Sequence, residues 1–406
     1  MKAIWRNDMK KLFAVLLAAA VLLCLFAGCR EETEPVDASV ETTLNTEAPT
    51  EAPTEEIPAA NYGKWRVALL TEDGNITDQS AIQAIYEAAS AWCEERGAAF
   101  TYYAPTETTT GRFVSMTEQA IADGCNVLLM KGKTFVDAIK ATAPKNPGVR
   151  YIVFDVTEKN YGDFVPPENV YTATFREEIP GFMAGYAAVK LGYRHLAFLG
   201  AVPRETIRYG YGFVQGVNAA AVELDVEREI AVEFAYGNSA SPDSSEVTVY
   251  LDTMFQKKGV EICFVCGPLN GAVCEAALRA GGAKVIGADC DQATILDPVY
   301  GDGITVTSAV KSYEAAVKAA LRDLIENNKW RAYGGKNAAL GVISGDDPDA
   351  NYVCLAPSTR YEDGKFTEED YAALVAALLA GDYTVSDETV IAPTVEIAVN
   401  YLGNLK

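Results

Sequence analysis

From Lys64 onward short apolar runs alternate with amphipathic segments, and this alternation is what most limits the folds open to the chain. The runs 65–70, 99–103, 126–130, 151–155 and 170–175 are rich in Val, Ile, Leu and aromatic residues. Apolar residues at consecutive positions predict strands buried on both faces. Between them, 80–95, 112–122 and 135–143 carry apolar residues at helical spacing, and Pro144 stops the last. A second group follows, with runs 196–199, 229–234, 261–266 and 284–288 separated by helical segments. Such alternation predicts an α/β protein built of doubly wound parallel sheets. Two successive groups predict two lobes.

The stretch 283–311, AKVIGADCDQATILDPVYGDGITVTSAVK, organises the second group. Its first apolar run stops at Asp289 and Asp291, and its second, 304–310, ends in Lys311. Ligands of open α/β sheets gather at the carboxyl ends of strands, which puts Asp289 where a ligand would be held. The alternative is an ordinary set of strand-end charges facing water.

The first residues have a different character. Lys2, Arg6, Lys10 and Lys11 precede an apolar run, 12–26, too short to prefer spanning a bilayer. The run ends Leu25-Phe26-Ala27-Gly28-Cys29, which resembles the bacterial lipobox, with Phe26 in place of the usual Leu. Residues 1–28 then read as a lipoprotein signal peptide and Cys29 as the lipid attachment site. A simple membrane anchor with an incidental cysteine is the alternative. A diacyl group supplies the two signals that stable anchoring needs. Residues 29–63 read as a disordered linker: the part 30–61 is rich in Thr, Glu and Pro and contains TEAPTEAPTEE. It holds nine acids against one arginine, so −8 of the formal −22 lies there.

Charge and motif spacing exclude several functions. A chain this acidic, with no basic patch, would repel a phosphate backbone, so nucleic acid is excluded as a partner. Of nine cysteines, seven remain once Cys24 and Cys29 are set aside, an odd number without disulfide-framework spacing. Cys263 and Cys266 form a CxxC inside a strand, where residues three apart face opposite sides. That suits neither a redox pair nor a zinc site, and the lone His195 has no ligand partner spaced near it, so no metal or cofactor is expected. Gly132-Lys133-Thr134 lacks the earlier glycine of a phosphate loop, Val127 standing there. Ser308-Ala309-Val310-Lys311 spells S-x-x-K, but the serine lies in a strand and no companion motif exists. Gly210, Gly212 and Gly216 are wrongly spaced for dinucleotides and point to close helix packing. No G-x-S-x-G is present, so nothing in the sequence indicates an enzyme.

Five segments in order resemble the basic membrane protein family, lipoprotein substrate-binding components of ABC transporters best known for purine nucleosides. They are Leu69-Leu70-Thr71 through Gly74 with Asp78-Gln79-Ser80, then Phe175-Arg176-Glu177-Glu178 with Gly181, Phe182, Gly185 and Tyr186. Tyr211-Gly212-Phe213 with Gly216, Val285 to Gln292 (V-I-G-x-D-x-D-Q), and Thr307 to Lys311 (T-S-x-x-K) complete the set. The likeness runs from about Lys64 to about Val385.

The resemblance implies a type I periplasmic-binding-protein-like fold, two lobes joined by three hinge crossovers with the ligand in the cleft. It places 64–173 and 308–333 in one lobe, and 174–307 and 334–406 in the other. The implied ligand-binding set is Asp78, Ser80, Asp155, Tyr236, Gly267, Asp289 and Lys311, and the implied partners are a small polar ligand and an ABC permease at the extracytoplasmic face of the membrane. An acid such as Asp289 suits a vicinal diol, because a carboxylate accepts from two hydroxyls at once. Two positions depart from the family. After D-x-S the family has Phe-Asn, whose Phe stacks on the base, where this chain has Ala81 and Ile82. The second stacking ring would fall in 236–242, which offers Tyr236 but no Phe. Each lost stack costs about 1–3 kcal/mol. Either Phe135, Tyr236 or another ring replaces them, or the ligand is a sugar or another diol. A sensory receptor domain is a further reading.

Overall fold

A computed structural model describes residues 61–77, 80–237 and 244–405. The signal peptide, Cys29 and nearly all of the linker therefore lie outside the described residues, as does Asp78. Thirteen strands are described: β1 Arg66–Leu70, β2 Ala99–Tyr103, β3 Val127–Lys131, β4 Arg150–Phe154, β5 Val170–Phe175, β6 His195–Gly200 and β7 Ala231–Tyr236, then β8 Ile262–Cys266, β9 Lys284–Asp289, β10 Thr305–Lys311, β11 Asn337–Leu340, β12 Val353–Leu355 and β13 Ala398–Asn404. They form two sheets, ordered β11-β5-β4-β3-β1-β2 and β12-β10-β9-β8-β6-β7-β13. Every pairing is parallel except that of β12 with β10.

Consecutive apolar residues in the central strands fill both sides of each sheet. Val67, Leu69, Val127 and Leu129 pack on one side of the first sheet, in the core that holds the helix Ala81–Arg96. Ala68, Leu70, Leu128 and Met130 pack on the other side, over the helices Thr110–Ala122 and Val136–Thr142. The second sheet repeats this arrangement. Phe198, Phe234 and Phe264 face the helix Pro203–Leu224, while Ala197, Leu199, Cys263 and Val265 face the helices Ser245–Asp252 and Asn270–Arg279.

The chain passes between the sheets after β5, after β10 and after β11. The second passage leads into the helix Tyr313–Ile325, which packs against Ala81–Arg96 of the first lobe. Two expected boundaries move. Ser308 does not begin a return to the first lobe, because β10 hydrogen-bonds along β9 as far as Val310. Gly334 does not open the second lobe, because Asn337–Leu340 pairs with β5 in the first sheet. A strand buried in a sheet has to keep its ladder partners, so the crossings fall after Lys311 and after Leu340.

The helices Glu178–Lys190 and Pro203–Leu224 touch backbone to backbone. A Cβ at Gly181 or Gly185 would run into the carbonyl oxygens of Tyr209 or Phe213, and one at Gly212 or Gly216 into those of Glu178 or Phe182. Each helix thus supplies glycines where the other's backbone approaches, the close packing expected of Gly212 and Gly216. Gly210 serves the sheet face, since its Cβ would strike Phe198. Among the described residues no helix is long and apolar enough to cross a membrane.

Candidate functional site

Both sheets deliver charge from their carboxyl ends to one lysine. Lys311, the last residue of β10, has a side chain only 10% exposed. Its Nζ lies 2.6 Å from Glu177 Oε1, 3.2 Å from Asp289 Oδ1 and 3.8 Å from Asp155 Oδ1. Asp155 follows β4 of the first sheet, Asp289 ends β9 of the second, and Glu177 follows β5 at the first crossing. Lys131, the last residue of β3, stands 3.7 Å from Asp155 Oδ2. Two tyrosine hydroxyls complete the set. Tyr313 donates to Asp155 Oδ2 at 2.5 Å, and Tyr209 donates to Asp289 Oδ1 at 3.1 Å. The Tyr209 ring lies below the Lys311 ammonium, 5.7 Å from centroid to Nζ.

Asp155 and Asp289 share an uncommon backbone state, with φ of 57° and 69°. Aspartate is among the few residues other than glycine that visit this left-handed region readily. At both positions the chain leaves its strand, one in each lobe, and each carboxylate is found beside Lys311. Left-handed residues other than glycine concentrate at functional sites.

The electrostatics follow from burial set against charge. Burial pushes the Glu177 carboxyl above its ordinary value, and the Lys311 ammonium only partly draws it back. Burial acts to raise Asp289 as well, but there Lys311, Lys131 and the Tyr209 hydroxyl together bring it below the ordinary value. For Lys311 burial works to lower the pKa, and the three carboxylates outweigh it and hold the ammonium charged. Three carboxyl groups thus face two ammonium groups. Carboxylates accept hydrogen bonds and ammonium groups donate them, so the arrangement can grip a small molecule bearing several hydroxyls.

The other expected residues fall in different places. Ser80 is the N-cap residue of the helix Ala81–Arg96. Tyr236 is buried at the end of β7, edge-on to Phe198 and Phe234, and its hydroxyl has no hydrogen-bond partner among the described residues. Phe135 is fully buried against Phe113. Ala81 and Ile82 belong to the core of the first lobe. Gly267 follows β8 with φ 98°, and a Cβ there would come within 2.6 Å of the Ala201 Cβ. Close approach therefore accounts for that glycine.

The D-x-D-Q motif divides its labour. Asp289 joins the Lys311 cluster, whereas Asp291 accepts from Ser358 Oγ at 2.5 Å. The Gln292 backbone N–H donates to Ser308 Oγ at 3.1 Å, which ties the S-x-x-K serine into the scaffold. Cys263 and Cys266 lie in cores on opposite sides of β8, as strand periodicity requires. Among the described residues no group of three His, Cys, Asp or Glu could hold a metal ion.

Four members of the cluster were not singled out as site residues from the sequence. Lys131 carried a signal in its position at a strand's end, beside the run Val127–Met130. Glu177 stood within a family motif without an assigned role. Tyr209 and Tyr313 gave no signal, because only folding brings residues 80 and 158 positions from their partners into contact.

A sequence model described as ABC transporter substrate-binding protein, PnrA-like, matches residues 65–353. Basic membrane protein B of Borreliella burgdorferi is 28% identical over 239 residues, 57% of this chain and 65% of that protein. Basic membrane protein A1 of Borrelia garinii subsp. bavariensis is 25% identical over 246 residues, 58% of this chain and 68% of that protein. The chain thus spans just under two thirds of the length of the first of these relatives. Among solved structures, an ABC transporter solute-binding protein from Conexibacter woesei superposes with a TM-score of 0.60 at 16% identity, covering 80% of this chain and 99% of its own. One from Aeropyrum pernix gives 0.52 at 18% identity, covering 80% and 88%. These likenesses fix the fold as that of the type I, two-lobe solute-binding proteins. The match over 65–353 covers well over half of the sequence, and the chain belongs to the PnrA-like family of ABC transporter substrate-binding proteins.

Proposed function

We propose that this chain is a lipid-anchored, extracytoplasmic solute-binding protein of an ABC importer that encloses a small, polar, nucleoside-like ligand between its lobes. The observation that carries the reading is the Lys311 cluster, assembled from Asp155 of the first lobe and Asp289 of the second. A ligand can favour closure only through contacts that differ between the open and closed forms, and hydroxyls placed here would touch both lobes. The basic, apolar and lipobox pattern of residues 1–29 supports export and anchoring through Cys29. The acidic balance supports a soluble body that handles small molecules rather than nucleic acid. Asp155, Asp289 and Lys311 grip hydroxyls in this reading, with Asp78 and Ser80 as further ligand contacts. Burial of Phe135 and Tyr236 favours a second candidate, a sugar or other diol held without a stacked base.

The test is mass spectrometry of the small molecule that co-purifies with the protein, followed by calorimetry with that molecule on wild type and Asp289→Ala. Each charge-assisted hydrogen bond lost is worth about 1.5–3 kcal/mol. Loss of two therefore predicts at least about hundredfold weaker binding. Unchanged affinity together with a large fall in melting temperature would make Asp289 a structural strand end.

A further inference from the structure

Lys131 is the charged member of the cluster that gripping hydroxyls leaves without a task. It ends β3, and the sheet order sets β3 between β1 and β4. The segment leading to Ser80 leaves β1 on one side, and Asp155 leaves β4 on the other. A ligand that reaches from the carboxylates towards Ser80 therefore passes Lys131.

Among the described residues its ammonium is loosely held. The side chain is 26% exposed, and its one ion-pair partner among the described residues is Asp155, at 3.7 Å and so beyond hydrogen-bonding distance. That carboxylate oxygen already accepts from Tyr313 at 2.5 Å. Lys311 differs, with acceptors at 2.6 and 3.2 Å. Lys131 thus faces the cleft with donors to give. The charge of the site decides what it can take. With three carboxyl groups already gathered in the cluster, an anionic group would add repulsion, whereas a carbonyl oxygen accepts from an ammonium without adding charge. An amino group in the same place would set donor against donor.

We propose that Lys131 contacts the ligand and selects a carbonyl oxygen over an amino group on the ring of a hydroxylated, nucleoside-like molecule, a selection that rests on the reading of the cleft given above.

Calorimetry on the detergent-solubilised full chain tests this with two pairs of probes, inosine against adenosine and uridine against cytidine. The members of each pair differ chiefly by a carbonyl for an amino group. D-ribose is the third arm. Wild type should bind the carbonyl member of whichever pair it accepts at least about tenfold more tightly. Lys131→Met should bring the ratio within about twofold, and Lys131→Arg, which keeps a cationic donor, should retain the preference. Melting curves of the ligand-free variants establish that they are folded. A ratio unchanged in Lys131→Met, or a wild type that prefers the amino member, overturns the role of Lys131 while leaving the nucleoside-like reading in place. Binding of ribose alone, or of no probe, overturns that reading and the selection with it. The two failures are distinct, because only the second leaves the wild type without nucleoside binding.

Discussion

Glu177 Oε1 and Lys311 Nζ meet at 2.6 Å, although the two residues stand on different connections between the sheets. Glu177 lies in the crossing that follows β5, and Lys311 is the last residue before the crossing that follows β10. The same lysine holds Asp289 at 3.2 Å and lowers both acids, yet burial leaves Glu177 above its ordinary value while Asp289 falls below its own.

That opposition predicts a pH signature. The raised Glu177 pKa means that its contribution to stability is fully present below its ordinary value of 4.5 and is lost as pH rises through the folded value. Glutamine resembles the protonated form, so the melting temperature of Glu177→Gln should gain on wild type as pH climbs from 4.5 towards 7. Asp289 is lowered, so its contribution is present above 3.8 and lost as pH falls through its folded value. Asp289→Asn should therefore fall short of wild type near neutrality and converge with it in acid. Melting curves from pH 3 to 7 decide the matter, and parallel profiles for both variants would contradict it.

The paired helices give a stability prediction. Gly216→Ala directs a methyl group into the Phe182 carbonyl of the facing helix, where backbone rather than a flexible side chain must yield. Overpacking of this kind costs about 1–3 kcal/mol. The denaturation midpoint in urea should fall accordingly, with a smaller change for Gly111→Ala, whose Cβ would meet nothing within 4 Å.

Thiol chemistry should be slow. Among the described residues Cys93, Cys125, Cys263, Cys266 and Cys274 are buried, and Cys290 and Cys354 are partly exposed, with no disulfide between any of the seven. Burial pushes Cys93, Cys274 and Cys354 up to about 12, far from the thiolate that reacts at neutral pH. A disulfide reagent at pH 8 should label the five buried residues only on unfolding, and dithiothreitol should leave the melting temperature where it was. A shift of several degrees would reveal a disulfide.

Anchoring has its own variant. Cys29→Ser should leave the precursor uncleaved by the lipoprotein peptidase and without lipid, read by intact-mass spectrometry of the membrane fraction. A mature, acylated product from that variant would end the assignment of Cys29.

The sequence made the strands legible because central strands of a doubly wound sheet are apolar at consecutive positions, as in Val127–Met130 and Ile262–Cys266. It also exposed Asp289 and Lys311, which interrupt such runs at their carboxyl ends. The lobe boundaries were less legible. Nothing local tells β11 to pair with β5 from 165 positions away, and β10 carries no mark of which sheet it joins. Aromatic residues misled for a related reason: Tyr236 and Phe135 have the composition of a ligand-stacking ring, yet neighbours distant in sequence, Phe198 and Phe113, enclose them. The glycines near 212 were readable because wrong spacing for a dinucleotide leaves close packing as the remaining use.

The location of Lys311 next to one crossing, and of Glu177 within another, has a mechanical consequence. Whatever occupies this cluster acts at the fulcrum rather than at the jaws. At the rim, Lys133 of the first lobe and Glu205 of the second stand 3.8 Å apart, both well exposed. A lever moved near its pivot travels little at that point and much at its far end. Changes of a few tenths of an ångström around one ammonium group would thus become an opening or shutting of the mouth, with the exposed Lys133–Glu205 pair following the motion instead of driving it.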